Sequence, residues 1–171
     1  MRDLLSFYSE YVHTAPDELY CDLLATAPPS GQDGVCGVII CYSGPAEKAD
    51  AVLAPIRKIG TPVLDTVAAV DYVDLQRSGD NSDPRKVGEY LKSGFVDEIS
   101  GALIDNIMNE FQQHPEREFA LYFQHSGGAI GRIAADATAF AHRKAVANML
   151  CFLNWDLAID GTPHEIGRAH V

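Results

Sequence analysis

Phe119-Ala120-Leu121-Tyr122-Phe123-Gln124 alternates Phe119, Leu121 and Phe123 with Ala120, Tyr122 and Gln124. A period of two over this length predicts a half-buried strand, with Tyr122 and Gln124 projecting from one side of it. Ser126-Gly127-Gly128 follows, and two glycines at a strand end let the backbone approach a neighbour closely. Beyond them, Ala129 to Ile133 reads as a second short strand pairing back. Ala134 to Phe140 reads as a connecting loop and Ala147 to Trp155 as the last strand.

Working toward the N-terminus, Asp97 is placed to cap a helix whose apolar positions Ile99, Leu103, Ile107 and Phe111 share one face. His114-Pro115 ends it. Glu89 to Val96 reads as a strand, Arg77 to Arg85 as a loop, Val67 to Leu75 is ambiguous, and Pro62 to Thr66 suggests a short edge strand. Ala49, Val52, Leu53 and Ile56 form a helical stripe. Pro45 suits its first position, Pro55 should kink it or end it early, and Gly60 suits a C-cap with positive φ. Val35 to Tyr42 has the apolar, β-branched profile of a strand buried on both faces. Tyr20 to Ala27 reads as another strand, and Leu4 to Val12 as an opening helix. The order is then a helix followed by β-β-α-β-β-α-β-β-β, with too few helices to cross over between all strands. The expected fold is α+β, a mainly antiparallel sheet with helices packed on one face.

At 171 residues the chain fits one domain, and 47% hydrophobic with 22% charged residues matches an ordinary globular composition. The formal net charge of -11 would repel nucleic acid and anionic membranes alike, so neither is expected as a partner. The start shows no secretory pattern, no apolar run approaches the ~20 residues of a membrane helix, and a cytoplasmic location is expected. Cys21, Cys36, Cys41 and Cys151 form no Cys-x-x-Cys pair and read as buried thiols. The histidines show no zinc-type spacing, so no metal is expected. Ser43-Gly44-Pro45 is not a phosphate loop, and Ser126 does not sit in a hydrolase elbow. Asp97 and Glu98 suit a helix N-terminus better than an acid/base pair.

The stretch from Tyr122 to Arg143 holds further motifs: His125 with Gly127-Gly128, Arg132-Ile133, and Thr138-Ala139-Phe140-Ala141-His142-Arg143, before an apolar strand ending in Trp155. Their order resembles the substrate domain of berberine-bridge-enzyme-like FAD-linked oxidases of the bacterial type. Earlier pieces agree: Phe7-Tyr8 with Ala15-Pro16-Asp17-Glu18-Leu19, Val38 to Gly44, Leu53-Ala54-Pro55-Ile56-Arg57, and Tyr90-x-Lys92-Ser93-x-Phe95. The matches run from about Leu4 to Trp155. The resemblance implies a sheet laid over a flavin, with Tyr122, Gln124, Asn148, Leu150 and Phe152 facing the flavin and the substrate. It also implies FAD as cofactor, a small-molecule substrate such as an alcohol or sugar, and hydride transfer to the flavin.

Two departures qualify what the resemblance implies. The position of the plant-type Glu base falls near Leu150 or Cys151, neither a carboxylate, so the catalytic base is unassigned. No counterpart of the FAD-binding domain precedes Leu4, so it is expected in cis or in trans, and this chain alone is expected to be inactive. Residues 1–160 are therefore read as an incomplete substrate-binding domain, truncated at both ends, and 161–171 as a tail. Glu165-Ile166-Gly167-Arg168-Ala169-His170-Val171 back-translates to a common sequencing-adapter sequence and is expected not to be biological. The alternatives are a standalone non-catalytic α+β binding module, or one subunit of a split flavoenzyme.

Overall fold

Five strands form one sheet: β1 (Leu19–Ala27), β2 (Cys36–Tyr42), β3 (Val87–Val96), β4 (Arg117–His125) and β5 (Ala147–Asp156). Their order is β2-β1-β4-β5-β3, and every neighbouring pair is antiparallel. The computed structural model describes residues 1–80, 87–159 and 161. The expected α+β architecture is observed.

Residues directly opposite one another across antiparallel strands share a face of the sheet. Val38 lies opposite Leu23, Leu23 opposite Phe123, Phe123 opposite Met149, and Met149 opposite Gly94. This row points into the helices. Of the four helices, α1 (Arg2–Tyr11), α2 (Ala49–Arg57), α3 (Tyr72–Arg77) and α4 (Gly101–Glu110), three cover that face. Leu5, Tyr8 and Tyr11 of α1, Leu53 and Ile56 of α2, and Ile104 of α4 join Cys21, Leu23, Leu121, Phe123 and Ala147 in one buried cluster. Burial of these apolar side chains holds the layers together, at about 25 cal/mol per Å² removed from water.

Tyr8 does more than fill space. Its ring is fully buried, and its hydroxyl lies 2.9 Å from the carbonyl of Cys21 and 3.1 Å from that of Phe123. The β1–β4 pairing ends at Leu23 opposite Phe123. At and past that rung side chains help hold the two strands: the Tyr8 hydroxyl is shared between both carbonyls, and the Asp22 carboxylate accepts the His125 N–H at 2.8 Å.

Several local expectations are corrected. The described residues hold five strands, not seven. β2 is an edge strand with three of its seven residues exposed and none fully buried, so it is not buried on both faces; its β-branched run supplies one face only. Pro62 to Thr66 is exposed and outside the sheet. Ala129 to Ile133 holds a 3₁₀ turn at Ile130–Arg132, because Gly127 and Gly128, with φ of 142° and 53°, turn the chain out of the strand direction. Ser100 rather than Asp97 caps α4, its hydroxyl accepting the Leu103 N–H at 3.3 Å. Pro45 precedes a 3₁₀ turn in an extended conformation, and Gly60 has no positive φ, since α2 closes earlier at Lys58. Pro55 sits inside α2, which ends two residues later at Arg57. α3 begins inside the ambiguous stretch and runs on to Arg77, capped by the Asp71 carboxylate at 2.8 Å from the Val73 N–H. Of the thiols, Cys21 is buried and Cys151 half-buried, while Cys36 and Cys41 are exposed. The expected loop between Arg77 and Arg85 and the expected tail fall partly or wholly outside the described residues.

Candidate functional site

Alternation puts every second strand residue on the face turned away from the helices. Leu24 lies opposite Tyr122, Tyr122 opposite Leu150, and Leu150 opposite Ser93. The next rows hold Gln124, Asn148 and Phe95, and Ala120, Phe152 and Leu91. Tyr122, Gln124, Asn148, Leu150 and Phe152 thus share one face, and none belongs to the helix-side core. The outer margin is apolar and exposed at Ile39, Leu91 and Phe95. Rings of Tyr122 and Phe152 meet edge-on at 5.5 Å.

One end of this face is polar. The Asn148 amide Nδ2 donates to Gln124 Oε1 at 3.2 Å. On β1, Tyr20 donates its hydroxyl to Asp22 Oδ2 at 2.9 Å, while Oδ1 accepts the His125 N–H. Asp22 is only 8% exposed. Burial pushes its carboxyl above the usual carboxylate range, against the lowering effect of the His125 and Tyr20 hydrogen bonds. Burial pushes the His125 imidazole down, partly offset by the Val12 carbonyl and the Asp22 charge. Asp22 and Tyr20 were not singled out from sequence; an acid inside the otherwise apolar run Tyr20 to Ala27 is the signal that marks them.

The remaining motif residues divide between supports and the opposite face. Arg143 donates to the Thr138 hydroxyl and lies 4.9 Å over the Phe140 ring. His142 stacks on Phe95 at 4.3 Å, and Phe140 meets Phe95 edge-on at 5.5 Å. The Thr138–Arg143 loop is therefore knotted on itself and seated on the β3 end of the open face. Arg132 pairs with Asp17 through both carboxylate oxygens. Gly128 lies against the same acid, where a Cβ would come within 3.0 Å of Asp17 Oδ1, which ties the Gly127-Gly128 turn to the start of β1. The pair Lys92-Ser93 is split: Ser93 is on the open face, Tyr90 and Lys92 on the helix side. Trp155 is also on the helix side, opposite Arg117 and Gly88. Of the two positions considered for a base, Leu150 faces outward and Cys151 faces the helices, so no carboxylate occupies that place.

The open-face positions of the five strands include Asp22, Glu89, Glu118 and Asp156 but no Lys or Arg. Such a face suits a neutral ring or a polyhydroxyl compound and not a diphosphate. Among the described residues no group of His, Cys, Asp and Glu converges as a metal site. Among the described residues no helix is long and apolar enough to cross a membrane.

No protein-family model matches the chain. It is 28% identical over 148 residues to an FAD-linked oxidoreductase of Dictyostelium discoideum, covering 84% of this chain and 31% of that protein. In fold it is similar to a glucooligosaccharide oxidase of Acremonium strictum, with a TM-score of 0.74 and 18% identity, covering 95% of this chain and 37% of the other. It is likewise similar to berberine bridge enzyme, with a TM-score of 0.65 and 14% identity, covering 95% and 35%. The chain thus spans about a third of the length of the proteins it matches, and it is related to FAD-linked oxidoreductases with the fold of one part of berberine-bridge-type oxidases.

Proposed function

We propose that this chain forms the substrate-side wall of an FAD-dependent oxidoreductase acting on an alcohol, sugar or similar hydroxyl-bearing small molecule. The observation that supports this most is the single open face on which Tyr122, Gln124, Asn148, Leu150 and Phe152 meet, in a chain similar to FAD-linked oxidoreductases. The neutral, half-apolar rows fit a flavin ring or a substrate ring. With no Lys or Arg at the strand positions of the face, the phosphates of FAD need a binding domain other than these strands, in cis or in trans. FAD, when bound there, supplies the hydride acceptor.

Within this reading the chain's own residues orient and exclude water. Gln124 and Asn148 present amide groups at one end of the face, paired to each other and ready to exchange that hydrogen bond for substrate hydroxyls. Tyr122, Phe152, Leu150 and Leu91 form the apolar floor. The Tyr20–Asp22 pair is the titratable couple beside the amides, with Tyr20 fixed in orientation by the carboxylate. Correct placement of the reacting carbon by such contacts is worth several kcal/mol of barrier.

The experiment is to clone the gene with its flanking DNA, purify the full product with any neighbouring flavoprotein, and assay a panel of alcohols and sugars by flavin bleaching. Gln124→Ala and Asn148→Ala should raise KM with little loss of flavin content. A full product that carries no flavin and oxidises none of the panel refutes the proposal.

A further inference from the structure

On the opposite side of the sheet, a cavity of about 320 Å³ opens where the C-terminal end of α4 leaves the strands. Phe119, Cys151 and Leu153 form its floor, Tyr90 one wall, and Lys92, His114, Arg117, Gln112 and Glu110 its rim. It lies on the helix side of the sheet, so it shares no strand residue with the open face and does not depend on the function proposed above.

The charge balance of this rim runs against that of the chain. The molecule has 24 acidic and 13 basic residues, yet two fixed cations and a histidine surround the cavity against a single acid. Among the described residues, neither Lys92 nor Arg117 takes part in an ion pair; Lys92 lies 5.9 Å over the Tyr90 ring. Lys92 on β3 lies opposite Cys151 and Arg117 on β4 lies opposite Trp155, so the two cations stand diagonally on either side of β5 with an apolar floor between them. An apolar floor with a few convergent polar groups is the general form of a small-ligand site. Two cations without carboxylate partners select the sign of the ligand.

We propose that this cavity binds a small organic anion, a carboxylate carried on an apolar ring. The ring lies on Phe119, Cys151 and Leu153, and the carboxylate meets Lys92 and Arg117. Glu110 at the rim disfavours bulky polyanions.

Cys151 supplies the test. Its thiol sits in the floor, and burial pushes its pKa up, so it alkylates slowly, while the exposed Cys41 serves as an internal control in the same chain. Alkylation by N-ethylmaleimide is followed residue by residue by mass spectrometry, with benzoate as the probe and benzamide as the uncharged isostere. Benzoate at about ten times its Kd should slow Cys151 by roughly tenfold, since only the unliganded fraction reacts. Cys41 should be unaffected and benzamide should protect little. Lys92→Met with Arg117→Met should weaken protection by about tenfold or more, while Arg117→Lys, which keeps the charge, retains it; circular dichroism establishes that each variant is folded. Absence of protection by benzoate overturns the proposal, as does equal slowing at Cys41. Equal protection by benzamide, or undiminished protection in the folded double variant, overturns its anionic part.

Discussion

Replacing Tyr8 by Phe removes one oxygen atom and leaves the ring where it is. The ring is fully buried against the sheet, so the substitution opens almost no cavity, and the large penalty for deleting core volume does not arise. What is lost is the donor shared by the carbonyls of Cys21 and Phe123 at 2.9 and 3.1 Å. Cys21 lies past the last β1–β4 rung and Phe123 forms that rung, both inside the protein. Leaving buried acceptors unsatisfied costs about 1–3 kcal/mol. For a chain of this size each kcal/mol corresponds to about 2–4 °C, so the melting temperature should fall by roughly 2–12 °C. Calorimetry gives this global figure. Amide hydrogen exchange gives the local one, with the Leu23 and His125 amides exchanging faster than those at the far end of β4. A melting temperature within about 1 °C of the parent, together with unchanged exchange at Leu23 and His125, would refute the assignment of Tyr8 as the clamp of this sheet end.

Asp22→Asn tests the buried acid. The folded-state pKa of Asp22 is raised, chiefly by desolvation, so its stabilising effect relative to a group that stays unprotonated is complete below the usual carboxylate range and is lost as pH rises through the raised value. Urea midpoints of the parent relative to the variant should therefore improve between neutral pH and the acidic side of the carboxylate range; a relative loss on acidification contradicts the sign. Gly128→Ala places a side chain at φ 53°, with its Cβ 3.0 Å from Asp17 Oδ1, and should destabilise by about 1–2 kcal/mol from the left-handed backbone alone, as read by urea unfolding. The isolated chain should self-associate through its open face, because contiguous exposed apolar surface promotes association. Leu91→Glu, at a position 43% exposed, should lower the association seen by analytical ultracentrifugation. Unchanged sedimentation would place the contact elsewhere.

The period-two alternation from Phe119 to Gln124 located β4 and gave the shared face of Tyr122 and Gln124, because side-chain direction in a strand follows from parity alone. Parity also groups Asn148, Leu150 and Phe152 with one another; that their face is the one shared with Tyr122 and Gln124 was implied by the family resemblance. What parity does not carry is the neighbour. Val35 to Tyr42 has the composition of a central strand, but its position at the sheet edge depends on which strand β1 chooses on its other side. Ala129 to Ile133 has strand-like residues, yet the two glycines before it set the chain direction. The choice between Asp97 and Ser100 as cap turns on where the helix begins, and acids and serines cap equally well. Tyr20 and Asp22 escaped notice because their meaning is relational: Asp22 is informative only once His125, more than a hundred residues later, is seen to donate to it.

The strand order also dictates when the sheet can be finished. β1 lies between β2 and β4, and all three have left the ribosome once His125 has emerged. β3 pairs only with β5, so the segment Val87–Val96 waits, with its backbone groups unpaired, for a strand that ends at Asp156. During synthesis this half of the sheet is a loose end, and closing the long intervening loop is the slow, entropically costly event. Chaperone dependence and misfolding in this chain should therefore concentrate on β3, and hardly at all on the β1–β2 hairpin.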